Sequence, residues 1–180
     1  MTTPAPNMKP PLLPAETLRR VLRVARIDGM SVLIVAGGFA LISAAFRDIP
    51  GAAVGLLIAA AGAIELHGVT LLRAGNPRGV DWLVSSQLYL MVTIFAYVAY
   101  HLMRPDVAWM MPYVTGEAAE PIQQAAQEMG LTVNQFLLES LRKFYLMVAA
   151  LTLVYQGGMI AFYLRRKSAT VAALLEDEPQ

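Results

Sequence analysis

The chain of 180 residues is 57% hydrophobic and 15% charged, has a net charge of +1 and contains no cysteine. Soluble domains carry about 25% charged residues, so this composition points to lipid as the solvent for much of the chain and leaves no length for a separate soluble catalytic domain. It excludes disulfides, thiolate metal sites and thiol catalysis, and the near-neutral charge gives no reason to expect nucleic acid as a partner.

Residues 1–16 read as a disordered, proline-rich cytoplasmic lead containing Pro10, Pro11 and Pro14. Over residues 17–27 the pattern turns helical. Leu18, Val21, Leu22 and Ala25 share one face, while Arg19, Arg20, Arg23 and Arg26 spread over the rest. Two readings stand for this segment: an interfacial helix drawn to anionic lipid, or a snorkelling extension of the span that follows.

Four apolar stretches then appear, at residues 29–46, 51–72, 80–103 and 144–164. A hydrocarbon core about 30 Å thick takes about 20 such residues in helix, and backbone in lipid must satisfy its own hydrogen bonds. The first stretch is expected to be an uncleaved span rather than a signal peptide. Proline and glycine in residues 47–51 and 73–79 predict tight turns, and connections this short make spans one to three antiparallel neighbours.

The third connection is longer. Pro121 opens a short predicted helix that Gly130 stops. Thr132 precedes Gln135 by three residues, the spacing of a capping box. From Val133 nothing interrupts the helical pattern until Gly157 and Gly158, so the fourth span is expected to begin outside the membrane. The resulting division is 17–103 for the juxtamembrane segment and spans one to three, 104–143 for an outer helical loop, 144–166 for span four and 167–180 for a cytoplasmic tail. The predicted fold is all-α: a four-span transmembrane helix bundle with an extramembrane helical segment between spans three and four.

Lysine and arginine set the orientation. Lys9, Arg19, Arg20, Arg23, Arg26, Arg73, Arg78, Arg165, Arg166 and Lys167 fall on one side, and Arg47, Arg104, Arg142 and Lys143 on the other. By the positive-inside rule both termini are expected to be cytoplasmic.

Span two is rich in small residues. Gly51, Gly55, Ala59 and Gly62 form a packing face that lets helix backbones approach closely. Span one offers two matching faces, Ala36, Ala40 and Ala44 or Gly29, Gly37 and Ala45. Glu65 is an acid inside this span, about 10 Å from its cytoplasmic end at 1.5 Å per residue. Gln87 and Gln156 count to similar depths on spans three and four, so the three are expected to form an intramembrane polar layer. In one reading Glu65 binds an ion or carries a proton; in the other, burial keeps it protonated and the layer locks helix register. Hydroxyl stripes include Ser86, Thr93 and Tyr97 on span three and Thr152 on span four. They imply helix contact or a shared cavity. His67 and His101 fall near opposite ends of their spans, so neither metal nor haem is expected, and no cofactor is implied.

No nucleophile motif or phosphate-binding loop is present. The expectation is a non-enzymatic integral membrane protein acting through helix packing, as a homo-oligomer or as an accessory subunit of a larger membrane complex, with the lipid bilayer as its surroundings. The alternative is a small ion or proton conduit centred on Glu65.

Overall fold

The computed structural model describes residues 13–108, 110–111, 114 and 119–176. Among the described residues are five helices and no strand: α1 (Pro14–Ala45), α2 (Ile49–Arg73), α3 (Gly79–Met103), α4 (Ala119–Glu128) and α5 (Val133–Glu176). Proline in the first turn of α1 suits a position whose N–H has no helical partner. Nothing between Pro14 and Ala45 breaks the helix, so residues 17–27 continue directly into the first apolar stretch. Pro14 to Glu16 are therefore helical rather than part of a disordered lead, Leu13 precedes the helix, and residues 1–12 of that lead lie outside the described residues.

Three helix ends share one closing geometry. After α2 the Asn76 N–H donates to the Leu71 carbonyl (2.9 Å) and the Gly75 N–H to that of Leu72 (3.2 Å), with Gly75 at φ 77°. After α4, Leu131 donates to Ala126 and Gly130 to Gln127, both at 2.9 Å, with Gly130 at φ 68°. These left-handed glycines satisfy carbonyls that the helix leaves unpaired. At the end of α1 the same place is held by Arg47, at φ 60°. Pro50 and Gly51 do not sit in that turn but in the first turn of α2, where the Gly51 N–H donates to Asp48 Oδ1 at 3.1 Å.

The start of α5 is fixed by a reciprocal pair of bonds. The Gln135 N–H donates to Thr132 Oγ1 (3.3 Å), and the Thr132 N–H donates to Gln135 Oε1 (3.0 Å). Thr132→Ala is expected to cost about 1 kcal/mol of local stability, read as faster amide exchange at Gln135; unchanged exchange would show that the cap contributes nothing. From there α5 runs 44 residues, through Gly157 and Gly158 and on to Glu176. Two glycines weaken a helix by about 1 kcal/mol each, but a break in lipid would strand backbone groups at higher cost. The tail at 167–176 is accordingly helix.

Helices α1, α2, α3 and α5 are long and apolar enough to cross a membrane, and at most 28% of the apolar window of any of them is buried within the protein. Leu41 and Val154 are 75% and 74% exposed. In water such faces cost about 25 cal/mol per Å²; against acyl chains they cost nothing comparable. The chain has the build of a multi-pass integral membrane protein.

Contacts divide the chain into two units, one of residues up to Gln87 and from Met159 onward, the other from Leu88 to Gly158. The first has a core to which four helices contribute: Val21 and Ala25, Val69 and Leu72, Val80 and Leu83, Tyr163 and Leu174. Val21 and Ala25 belong to the apolar face of residues 17–27, and they are buried in protein. The second unit buries Leu90, Val98, Val107, Ala126, Leu137 and Tyr145.

Candidate functional site

Within the first unit, four helices each place one polar side chain in a buried cluster. Asp28 comes from α1, Glu65 from α2, Gln87 from α3 and Tyr163 from α5, and all are buried. Gln87 Nε2 donates to Asp28 Oδ2 at 2.9 Å and to Glu65 Oε2 at 3.0 Å. The Tyr163 hydroxyl donates to Glu65 Oε1 at 2.6 Å. Both oxygens of Glu65 are therefore engaged, by donors from two different helices. The carboxyls of Asp28 and Glu65 thus share one amide donor. Gln87 Oε1 is buried without a hydrogen-bond partner among the described residues.

Local sequence explains the placement. Val21, Ala25 and Asp28 follow one another at four and three residues, one helix face, so the acid lies on the stripe that packs inward. Gly29 and Gly62 bring α1 and α2 close beside it: a Cβ on Gly29 would come within 3.1 Å of the Gly62 carbonyl and 3.3 Å of Glu65 Cβ. Across α2 and α3, Gly68 and Gly79 meet in the same way, with a Cβ on Gly68 falling 2.9 Å from the Gly79 carbonyl. Glycine at these crossings thus draws together the backbones that carry Glu65 and its partners.

Comparison with protein-family models, curated proteins and solved structures finds no match for this chain.

The cluster has two carboxyls, one carboxamide and one phenol. No group of three or more histidine, cysteine or acidic ligands occurs among the described residues. Such a donor set suits hydrogen-bonded cross-linking of helices, or the holding of a proton or one small hard cation. His67 packs edge-on against Trp82 at 4.9 Å between centroids, and His101 stacks on Tyr145 at 4.9 Å. Each imidazole is placed by aromatic contact.

Of the polar layer read from sequence, the structure brings together Glu65 and Gln87. Gln156 belongs to the second unit, where it is buried with Oε1 unpartnered among the described residues. The α5 residue bonded to Glu65 is Tyr163, seven positions further on. The helix continues past Tyr163 to Glu176, so the apolar stretch does not mark its end. Asp28 was hidden by starting the first span at Gly29.

The hydroxyl stripes divide. Ser86 is buried but donates to its own helix at Leu83 O, 2.8 Å. Tyr97 meets His101 at 4.4 Å and Tyr145 at 6.1 Å within the second unit. Thr93 is half-buried and Thr152 is buried.

On the packing face, Gly55 and Gly62 lie against α1, Ala59 is buried, and Gly51 lies over Asp48 and Ser43. The facing surface of α1 is Gly29, Leu33, Ala36, Ala40 and Ser43. It therefore takes residues from both faces that sequence offers. Gly37 has nothing within 4 Å, and Ala44 and Ala45 are exposed.

Proposed function

We propose that the protein is a non-enzymatic membrane subunit that works through helix packing, as an oligomer of itself or as an accessory chain of a larger membrane complex. The supporting observation is how the acid inside α2 is used. Glu65 gives both oxygens to side chains of other helices, which is what a device for fixing helix register requires. Leaving such a group unpaired in lipid costs several kcal/mol, roughly, so the paired arrangement strongly favours one register. The outward faces are apolar and suit lipid or another spanning helix.

Separation of native membranes in mild detergent is expected to place the chain in a species well above its 19.5 kDa, and cross-linking in bilayers is expected to give adducts. Monomer alone in both would overturn the reading. The proposed orientation has both termini cytoplasmic, supported by ten of the 14 lysines and arginines lying on that side. Reporters before Met1 and after Gln180 should read as cytoplasmic and one near Gly130 as outside; an external carboxy terminus would overturn it.

A second reading is favoured by one specific observation, the pairing of Asp28 with Glu65. Register alone needs one acid, or none. Two carboxyls sharing one amide donor repel unless a proton or cation lies between them, so the pair is suited to binding either one. In that reading the protein is a small proton or cation conduit centred on Glu65.

A further inference from the structure

On the outside of the same unit, α1 and the end of α2 form a groove of about 550 Å³. Arg19, Arg23 and Arg26 line it from α1 and Arg73 from α2. The first three recur at four and three residues, so they stack along one face over about 10 Å. All four are exposed. The ion pairs among the described residues are Lys143–Glu139 and Lys167–Asp81, and none of the four arginines takes part in one. Like charges three and four apart weaken a helix, and here a fourth faces them from another helix. An anion between them would relieve that repulsion.

Leu22, Ile27 and Met30 line the same groove. Ile27 and Met30 are 62% and 41% exposed, and Met30 lies at the start of the apolar stretch of α1. Along about 16 Å of helix, from Arg19 to Met30, the lining passes from guanidinium to aliphatic, as a phospholipid passes from headgroup to acyl chain. A soluble phosphate has no use for the aliphatic end. We propose that this groove binds an anionic phospholipid whose headgroup carries more than one negative charge, phosphate against the arginines and chain against Ile27 and Met30. Guanidinium forks match phosphate oxygens two at a time, and basic pockets between spanning helices are established sites for such headgroups. The site requires only that α1 cross the bilayer and is independent of either reading of the Asp28–Glu65 pair.

The test uses the full chain purified in neutral detergent. It is titrated in native mass spectrometry and in thermal unfolding with four probes: cardiolipin, phosphatidylglycerol, phosphatidylcholine and inorganic phosphate. Cardiolipin is expected to be retained and to raise the melting temperature, phosphatidylglycerol less so, and the other two not at all. At about 1 kcal/mol for each basic residue, Arg73→Gln should weaken cardiolipin binding about fivefold. The triple variant Arg19→Gln, Arg23→Gln, Arg26→Gln should weaken it on the order of a hundredfold. Arg20→Gln removes the same charge from the same helix without lining the groove and should leave binding within twofold or so. If the triple variant misfolds, the comparison of Arg73→Gln with Arg20→Gln carries the test. Equal loss in those two would mean diffuse attraction and would overturn the site, as would equal retention of phosphatidylcholine. Protection by inorganic phosphate equal to that by cardiolipin would assign the groove to free phosphate and overturn the lipid.

Discussion

Gly62→Leu is expected to drive α1 and α2 apart. Even a methyl group at this position would lie 2.5 Å from the Gly29 carbonyl oxygen and 2.7 Å from the Leu33 nitrogen. Both obstacles are backbone atoms, which cannot rotate aside as a side chain does, so the helices must separate. Over-packing costs about 1–3 kcal/mol in well-packed cores, and a backbone clash places this substitution at or beyond the upper end. Separation also opens the crossing beside Glu65, since Gly29 abuts both Gly62 and the Glu65 Cβ. Gly55→Leu is expected to behave alike, its Cβ position being 2.9 Å from Ala40 N and 3.0 Å from Ala36 O. Leu57→Ala, trimming a side chain half exposed to lipid, should have little effect. Gly158→Ala, with nothing within 4 Å, should be neutral or stabilise by up to about 1 kcal/mol. Thermal unfolding in one detergent compares all four; equal melting temperatures for Gly62→Leu and Leu57→Ala would show that this crossing is not a packing centre.

The second large effect concerns Glu65. Glu65→Leu leaves the buried Tyr163 hydroxyl without the acceptor that Glu65 supplies, and takes one of two acceptors from Gln87 Nε2. At about 1–3 kcal/mol for each group deprived, the loss should be about 3 kcal/mol and should appear as a lower melting temperature. Glu65→Gln keeps an oxygen for Tyr163 and gains an NH₂ that can donate to Asp28, so the fold should survive. Its effect on transport separates the two functional readings. For a subunit acting through packing, proton and cation fluxes in reconstituted vesicles should match among wild type, Glu65→Gln and protein-free controls. For a conduit, wild type should conduct and Glu65→Gln should not, and Asp28→Asn should reproduce the loss. Conduction by wild type that Glu65→Gln leaves intact would remove Glu65 from the pathway.

What could be read from the sequence follows from how local each signal is. The apolar stretches were legible because hydropathy is a sum over about 20 residues. Gly75 and Gly130 announced their turns, whereas Arg47 takes the same left-handed place at the end of α1 with no glycine to mark it. The capping pair Thr132–Gln135 was visible because both partners lie within one turn.

The cluster was half visible. Glu65 stood out as an acid among glycine and alanine. Asp28 sits beside Gly29 at the edge of the apolar stretch, where an acid looks like ordinary headgroup-level polarity. Its position three residues after Ala25, on the face of Val21 and Ala25, was the available signal. Tyr163 carried no comparable mark, since tyrosine near the end of a span is common. Its pairing depends on where α5 sits along its axis, and a helix continuing to Glu176 gives hydropathy no endpoint from which to count.

The partners of Glu65 also differ in when they exist. Asp28 precedes it in the chain, but Gln87 follows 22 residues later and Tyr163 follows 98 residues later. At about 5–20 residues per second, the interval from Glu65 to Tyr163 is about 5–20 s of synthesis. Until residue 163 has been added, the acid of α2 lacks the phenol that will engage it. An α1–α2 hairpin alone therefore carries a carboxyl without two of the donors that match it in the complete fold. A chain that stops before Tyr163 never forms that bond, so a full match for Glu65 requires α5 to have been synthesised at least to residue 163.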